Sequence, residues 1–497
     1  MTKHRAIPTI MCSQHPDHAN TPFWSDSAYI QTHDEIHETY VMFSDLDADE
    51  VMWDWEGKLV DESVIEKLLM KYSGFFAEHP LGVDRFLTFR VPNPRVEPGY
   101  RLARAFMVML SAHLTAKEAG LANPLFEAIV PMVQSEDDLT QIYSSYVNVS
   151  STIQSEFGQN TYSKQPLELI PIFESVDDIL NSNQTITRYL EWLHENYGVT
   201  PEYFRPFCAR SDPAMNAGII PTTLAIKWAL HQYTQLENEL GVKMHPIIAP
   251  GSLLFRGGFR PDTVQSFMQE YAGIKTAVIQ SAFRYDFPTS EVTAAIQQLK
   301  KLIPQSQPAP LTVKDKTVID TLIAVFSQEY RQTVSELIPL IQQVAMFVPR
   351  RRDRMQHIGL FGYSRQVGTA SLPRAIGFTC AGYSMGIPPE LWGLGQGLAQ
   401  LSKADLQSLN RLYPTLRSSL RQVAGYFRPE SLAELGIGNL FEQLSVIEAF
   451  IECPLGPTTD KQHAHAHLVQ TIIAKMRAKE DPTQEVEAAA KLRKSIG

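Results

Sequence analysis

One unit, a short strand-like run followed by a helix-like stretch, recurs eight times in the first 300 residues. Each run is apolar or β-branched, ends in polar residues, and lies roughly 30–45 residues from the next. This is the spacing that repeated βα units need, since each strand is followed by a helix. The eight runs are residues 7–17, 51–58, 85–94, 127–135, 167–175, 203–213, 244–258 and 276–288.

The alternation predicts an α/β fold, a (β/α)8 barrel of the TIM type with additional C-terminal helices. A doubly wound sheet is the alternative, and it is disfavoured because no GxGxxG motif follows the first run. We expect residues 1–300 to form the barrel core and residues 301–497 to form a mostly helical part packed on it, as a single catalytic unit. In that second part, the periodicity of residues 317–348 predicts a long helix with a bend or break at Pro339.

The balance of charge excludes several kinds of partner. The 497 residues carry 44 basic and 54 acidic side chains, which gives a net charge of −10. Nucleic acids and anionic membranes both require a basic surface, so we expect neither as a partner. The four cysteines form no CxxC, no apolar run approaches the length of a membrane span, and the amino terminus lacks a signal-peptide pattern. We therefore expect a cytoplasmic protein.

Charged residues collect at the carboxyl ends of the predicted strands, where barrel enzymes carry their catalytic groups. Two carboxylates, Glu174 and Asp212, suit a hard divalent cation such as Mg²⁺. Several arginines suit a multiply charged anion such as phosphate, through paired hydrogen bonds. Together these residues predict a metal-assisted reaction on a phosphorylated or carboxylated small molecule. The full set at the strand ends is His15, Asp54, Glu56, Lys58, Arg90, Glu174, Arg210, Asp212, Arg256 and Arg284.

Each of these residues also has a purely structural interpretation. A carboxylate at the start of a helix, such as Glu174 in FESVDD, commonly acts as a cap or as a partner of the helix dipole. Arg90 or Arg284 alone would serve as a salt-bridge partner, and His15 as a turn residue. The HAHAH segment at residues 463–467 gives only a weak indication of a metal site, because residues two apart point to different faces of a helix.

Six segments form a pattern that is more specific than any one of them. In chain order they are MCSQHPDHANTPFW with His15, LIPIFESVDDIL with Glu174, ARSDPAMNAG with Asp212, LLFRGG with Arg256, VIQSAFRYDFP with Arg284, and YSRQVGTASLPRAIGFTCAGYSMGIPPELWGLGQG with Arg365 and Arg374. Taken together, and in this order, the segments resemble phosphoenolpyruvate carboxylase, specifically the short, archaeal-type branch of that family.

The resemblance implies roles for individual residues. Glu174 and Asp212 would bind Mg²⁺ or Mn²⁺. The phosphate of phosphoenolpyruvate would be bound by Arg90, Arg256 and Arg374, and Arg284 would be a further substrate-binding residue. The bicarbonate-derived group would be bound by His15 and Arg365. The catalytic residues would be His15, Arg365 and Arg256. The stretch from Arg365 to Arg374 resembles the mobile lid of the family. The roles of Asp54, Glu56 and Lys58 stay open.

The activity that the resemblance implies is the biotin-independent carboxylation of phosphoenolpyruvate. Bicarbonate attacks the phosphorus to give carboxyphosphate and a metal-bound enolate of pyruvate. Carboxyphosphate then releases CO2, and the enolate takes it up to give oxaloacetate. Phosphate is the second product, and the resemblance also implies a homotetramer. Two alternatives stay open: another metal-dependent barrel lyase or transferase acting on phosphoenolpyruvate or pyruvate, and a non-catalytic binding or scaffold protein that has kept the fold.

Overall fold

The computed structural model describes residues 6–14, 18–31, 33–55, 61–157, 167–349, 365–367 and 370–497. His15, Glu56 and Lys58 therefore lie outside the described residues. Within these ranges the chain forms twelve β-strands and twenty α-helices, together with short 3-10 turns.

Eight parallel strands close into a barrel, which confirms the predicted (β/α)8 fold. Around the barrel the order is β1, β10, β9, β7, β5, β4, β3 and β2, so each strand pairs with its neighbour in the chain of barrel strands and β1 pairs with β10. Each of the eight predicted runs matches one barrel strand, although the strands are shorter than the runs and β2 begins one residue early. The barrel strands are β1 (Ile10–Ser13), β2 (Glu50–Asp54), β3 (Phe86–Arg90), β4 (Glu127–Val130), β5 (Glu168–Phe173), β7 (Phe207–Ala209), β9 (Ile247–Ala249) and β10 (Thr276–Ile279).

The other four strands form two small sheets outside the barrel. The parallel pair is β6 (Tyr203–Phe204) with β8 (Lys243–Met244), and the antiparallel pair is β11 (Arg365–Val367) with β12 (Ala370–Leu372).

The helices fall into an amino-terminal set interleaved with the strands and a carboxyl-terminal set. The first set is α1 (Asp34–Ser44), α2 (Val64–Lys71), α3 (Ser73–Glu78), α4 (Gly99–Glu118), α5 (Glu136–Phe157), α6 (Val176–Tyr197), α7 (Ser211–Ala217), α8 (Ile219–Leu240), α9 (Val264–Glu270), α10 (Ser281–Tyr285) and α11 (Thr289–Leu302). The second set is α12 (Val313–Ala345), α13 (Ala375–Ser384), α14 (Leu394–Ala399), α15 (Lys403–Leu412), α16 (Leu416–Ala424), α17 (Glu430–Leu435), α18 (Leu444–Ile451), α19 (Asp460–Ala478) and α20 (Thr483–Arg493).

Pro339 does not break the long helix of the carboxyl-terminal part, because α12 runs from Val313 to Ala345 with Pro339 inside it. The helix packs along α8, and its buried side chains include Leu337 and Ile341 on either side of the proline. Tertiary packing of an apolar face can outweigh the hydrogen bond that a proline removes. Of the two predicted outcomes at Pro339, the break is therefore wrong.

Two large apolar clusters hold the structure together. One lies between the barrel strands and the helices around them, and includes Trp53 on β2 and Phe106 on α4. The other joins the carboxyl-terminal helices and includes Phe378 on α13 and Val334 on α12. Residues from the barrel part, such as Phe255, also belong to the second cluster, so the two parts share a packed boundary.

A buried ionic cluster closes the barrel at the amino ends of its strands. Arg205 is 1 % exposed and donates to Glu50 (Nη2 to Oε2, 2.7 Å) and to Glu127 (Nη1 to Oε2, 2.7 Å). Thr276 accepts from the same guanidinium, and Tyr203 donates to Glu127. With this end filled, the opposite end is the open mouth of the barrel.

No helix of the described residues is both long enough and apolar enough to cross a membrane.

Candidate active site

A cleft opens at the carboxyl ends of the barrel strands, with about 680 Å³ of empty volume. Its walls contain six residues that the sequence singled out: Arg90, Glu174, Arg210, Asp212, Arg256 and Arg374. They come from four different strand ends and from the start of α13, so only the folded chain brings them together. The carboxyl face is where barrel enzymes carry out their chemistry.

The floor of the cleft is apolar. Met52, Ile172, Phe207 and Val278 line it, and all four belong to a cluster of side chains that fills the inside of the barrel. Charged groups above a dry floor interact more strongly than they would in water, because the local dielectric constant is low.

The two carboxylates come from adjacent, parallel barrel strands. Glu174 follows β5 directly, and Asp212 lies in the first turn of α7 after β7. The cap of α6 is Ser175, whose hydroxyl accepts from the Asp178 amide at 3.0 Å, so Glu174 is not needed for capping. The structural interpretation of Glu174 as a cap is therefore wrong.

The chemistry of this donor pair fits a divalent cation. Mg²⁺ commonly takes one or two carboxylates from the protein and fills its other positions with water and substrate oxygens. In the described part of the chain no three His, Cys, Asp or Glu side chains group together as a metal site. Glu174 and Asp212 are the residues that would hold the cation.

Arg256 is held by hydrogen bonds to every part of its guanidinium. It is 3 % exposed, and it donates from Nε to Ser211 Oγ (3.1 Å), from Nη2 to Gln280 Oε1 (2.5 Å) and from Nη1 to the Gly497 carbonyl (2.6 Å). It ends the 3-10 turn Leu254–Arg256, which follows β9. The direction of this side chain is thus fixed before any ligand binds.

Two glycines make the Arg256 turn possible. The Gly251 amide donates to the Arg256 carbonyl at 2.6 Å, and a Cβ at Gly251 would lie 2.7 Å from Arg256 Cζ. Gly257 has a φ of 122°, and a Cβ there would lie 2.7 Å from Pro250 Cβ. Only a residue without a side chain fits at either position.

Another arginine of the cleft, Arg374, comes from the carboxyl-terminal part. Arg374 is the residue immediately before α13, and Ala375 and Ile376, the first two residues of that helix, also line the cleft. A helix amino terminus presents free N–H groups and a positive dipole end, which favour anions. This end of the cleft therefore combines a guanidinium with a helix terminus.

Arg284 is not among the described residues that line the cleft. It is completely buried in α10, donates to the Ile279 carbonyl at 2.8 Å, and lies 3.5 Å from Glu38. Helix α10 begins two residues after β10 and carries the side chain to the Glu38 side of the helix. This environment matches the structural interpretation of Arg284 as a salt-bridge partner, which the sequence analysis left open.

Two other predicted residues cannot be located from their side chains. His15 lies outside the described residues, and for Arg365 the structure gives the strand β11 but not the side chain. The segment that follows His15 is firmly held, since the Asp286 carboxylate accepts from the amides of Ala19 (2.7 Å) and Asn20 (2.6 Å). The roles of His15 and Arg365 stay predictions.

The histidines of HAHAH divide between the surface and the interior of the protein. His463 and His467 are exposed, whereas His465 is buried with Nε2 2.9 Å from Arg493 Nη1. Burial, followed by the charge of Arg493, lowers the pKa of His465 well below its usual value. The three imidazoles do not converge on one point, in agreement with the weak metal indication.

Comparison with known proteins identifies the family of this chain. The family model described as phosphoenolpyruvate carboxylase matches residues 7–497. The chain belongs to the phosphoenolpyruvate carboxylase family. It is 35% identical to the phosphoenolpyruvate carboxylase of Leuconostoc mesenteroides, over 99% of both chains. It is 40% identical to that of Methanothermobacter thermautotrophicus, over 86% of this chain and 88% of the relative, and 35% identical to that of Metallosphaera sedula, over 99% and 100%. Membership of the phosphoenolpyruvate carboxylase family makes the protein an enzyme of the carboxy-lyase kind.

Sequence reasoning missed three hydrogen-bond partners of Arg256 in this member of the phosphoenolpyruvate carboxylase family. Ser211, Gln280 and the Gly497 carbonyl all bind Arg256. Gln280 directly follows β10, so the strand-end rule that found the charged residues would have found it had uncharged polar residues been counted. Nothing in the sequence indicates that Gly497 returns to the barrel mouth.

Proposed function

We propose that this enzyme carboxylates phosphoenolpyruvate with bicarbonate, giving oxaloacetate and phosphate, without biotin and with Mg²⁺ or Mn²⁺. The observation that carries the proposal is one cleft lined by Glu174, Asp212, Arg90, Arg256 and Arg374. Phosphoenolpyruvate has a phosphate and a carboxylate, and this cleft offers both cation-binding carboxylates and anion-binding guanidinium groups. Family membership supports the same substrate.

The arginines bind and orient the substrate in this proposal. Guanidinium groups recognise phosphate through two parallel hydrogen bonds, and a set of three surrounds a multiply charged phosphate from several sides. The reaction passes through carboxyphosphate and the enolate of pyruvate. The divalent cation supplies Lewis-acid stabilisation of negative oxygen when bound. His15 assists the release of CO2 from carboxyphosphate, and Arg365 binds the bicarbonate-derived group.

The apolar floor keeps water from the enolate in this mechanism. An enolate that meets water takes up a proton and gives pyruvate, whereas one that meets CO2 gives oxaloacetate. Met52, Ile172, Phe207 and Val278 give the side of the cleft nearest the barrel axis a surface that binds water poorly. The ratio of oxaloacetate to pyruvate is therefore a measure of this exclusion.

A coupled assay tests the activity. The purified protein is incubated with phosphoenolpyruvate, bicarbonate and Mg²⁺, and oxaloacetate is read through malate dehydrogenase and NADH oxidation. We expect a signal that requires all three components and that is insensitive to avidin, since no biotin takes part. His15→Asn should abolish or nearly abolish the product. Formation of pyruvate or aldol products without oxaloacetate would support a different lyase or transferase instead.

Two further expectations go with this proposal. The enzyme is a homotetramer of four 55.9 kDa chains, which light scattering coupled to size exclusion measures directly. It works in the cytosol, a reducing compartment that suits its four free cysteines, three of which are buried. Fractionation of the source cells, with the coupled assay as the readout, checks the compartment.

A further inference from the structure

The peptide groups on both sides of Phe255, the residue before Arg256, are held by buried ionisable side chains. The Phe255 amide donates to Glu390 Oε1 at 2.7 Å. The Phe255 carbonyl accepts from Arg210 Nη1 at 3.0 Å. The turn that carries Arg256 into the cleft is therefore held by two hydrogen bonds at Phe255, one from its amide to Glu390 and one from Arg210 to its carbonyl.

Glu390 reaches this turn from the carboxyl-terminal part of the chain. It lies in a 3-10 turn, Pro389–Leu391, and is 2 % exposed. Tyr383, on α13, donates its hydroxyl to the same oxygen, Oε1, at 2.8 Å, and so fixes the carboxyl group in place. Burial raises the pKa of Glu390 to about 7. A carboxyl group is costly to keep in such a place, and its Oε1 is used by Phe255 and by the tyrosine that orients it.

Arg210 reaches the turn from the barrel. It follows β7 directly, two residues before Asp212, and is completely buried. Its Nε donates to Tyr271 at 2.8 Å, which orients the guanidinium so that Nη1 faces the Phe255 carbonyl. One arginine thus links the strand end that bears Asp212 to the turn that bears Arg256.

We propose that Glu390 and Arg210 are positioning residues for Arg256, which set the direction of its guanidinium by clamping the Phe255 peptide groups. Glu390 is not among the described residues that line the cleft, whereas Arg210 lines it, and the proposal assigns neither side chain a contact with substrate. The proposal rests on the proposed function for the role of Arg256 itself. All three nitrogens of that guanidinium already have partners at hydrogen-bond distance, so a small displacement of the turn would break several bonds together.

Substitutions at Glu390 test the clamp through the KM for phosphoenolpyruvate. Glu390→Leu removes the acceptor for the Phe255 amide, and we expect KM to rise about 10-fold or more while protein of native mobility is recovered. Glu390→Gln keeps an acceptor oxygen at Oε1, and we expect KM within about 3-fold of the parent. This rescue by glutamine separates positioning from charge.

The matched control is another buried carboxylate that accepts a backbone amide far from the cleft. Asp315 caps α12 by accepting from the Thr312 amide at 2.8 Å and is 8 % exposed. Asp315→Ala should lower the melting temperature and leave KM unchanged. An unchanged KM in Glu390→Leu, or an equal rise in the control, would overturn the proposal.

A second variant covers the case in which Glu390→Leu does not fold. Arg210→Lys keeps the positive charge but cannot donate to the Phe255 carbonyl, Tyr271 and Thr223 in the same geometry. We expect KM for phosphoenolpyruvate to rise about 10-fold here as well, and a parent-like KM contradicts the clamp.

Failure of the proposed function is distinguished by the parent enzyme. If the parent gives no bicarbonate-dependent oxaloacetate, the function is wrong. The positioning role of Glu390 is then tested by the rise in melting temperature that phosphoenolpyruvate with Mg²⁺ produces in the parent and in each variant. Loss of that rise in Glu390→Leu, with recovery in Glu390→Gln, supports positioning, and an equal rise in all three proteins contradicts it.

Discussion

Arg90 donates two hydrogen bonds to Asp54, from Nε to Oδ1 at 2.9 Å and from Nη2 to Oδ2 at 2.5 Å. The two residues are register partners at the ends of the adjacent strands β2 and β3, and both side chains are largely buried. A planar guanidinium and a planar carboxylate that meet in this way fix each other's orientation. Asp54, whose role the sequence left open, therefore orients an arginine of the cleft.

Removal of this partner should weaken substrate binding. We expect Asp54→Ala to raise the KM for phosphoenolpyruvate about 10-fold, because Arg90 loses a charged hydrogen-bonding partner. Asp54→Asn, which keeps one acceptor, should have an intermediate effect. Glu62→Ala removes an exposed partner of Arg104 and serves as the control with parental KM. Steady-state kinetics in the coupled assay give all three values, and a parental KM in Asp54→Ala would contradict this role.

The two cleft carboxylates should account for the cation dependence. Glu174→Gln and Asp212→Asn are each expected to remove the rise in melting temperature caused by Mg²⁺ and to lower kcat at least about 100-fold. Glu191→Gln, an exposed carboxylate on α6, should change neither. Differential scanning fluorimetry with and without Mg²⁺ reads the first effect. A Mg²⁺ response that survives in both cleft variants would place the cation elsewhere.

The shape of the Arg256 turn should depend on Gly257. Gly257→Ala is expected to lower the free energy of unfolding by about 2 kcal/mol and to raise KM, because the new Cβ would meet Pro250 and Arg210. Gly456→Ala is the matched control, since Gly456 has a φ of 132° but open space around the missing side chain. Gly456→Ala should lower the free energy of unfolding through backbone strain alone and leave KM unchanged. Urea denaturation and the coupled assay separate the two effects.

The ionic cluster at the base of the barrel should make stability depend on pH. Burial, with the opposing effect of Arg205 and the repulsion of Glu50, raises the pKa of Glu127 from 4.5 to about 7. The folded state therefore holds this proton more tightly than the unfolded state. The stabilisation is complete below about pH 4.5 and is lost as the pH rises through about 7. Glu127→Gln should flatten the fall in unfolding free energy between about pH 5 and 8.

The control for this measurement is Glu195→Gln, an exposed carboxylate at the end of α6. It should keep the parental pH dependence in urea denaturation. If the unfolding free energy of both Glu127→Gln and Glu195→Gln falls with pH at the parental slope, Glu127 is not the group responsible for the pH dependence.

The barrel was predictable because its signal is periodic and local. Each barrel strand lies inside a predicted run, except that β2 begins one residue early, at Glu50. Glu174 and Asp212 were found because the carboxyl ends of the strands converge at one face of the barrel. The outcome at Arg284 was open, because this residue lies inside α10, and the direction of its side chain depends on how that short helix packs after β10. The continuity of α12 through Pro339 depends on packing against α8, which a single chain does not reveal.

The remaining parts of the site come from distant segments. Arg374 was found only through the resemblance, and neither periodicity nor spacing indicates that Glu390 and Gly497 return to the mouth of a barrel whose last strand ends at Ile279. Their positions follow from how the carboxyl-terminal helices pack. Such long-range placement is the part of the site that sequence patterns do not encode.

Because the cleft includes residues from both sides of the boundary between the two apolar clusters, a growing chain gains the cleft residues in a fixed order. Synthesis proceeds from the amino end, so Glu174, Asp212, Arg90 and the barrel strands all precede Arg374 and Glu390. A nascent barrel has its two carboxylates but lacks Arg374, one of the four arginines that line the cleft, and Glu390, one of the two residues that hold the Arg256 turn. The set of three arginines proposed to bind phosphate, Arg90, Arg256 and Arg374, is therefore complete only when the second cluster has packed.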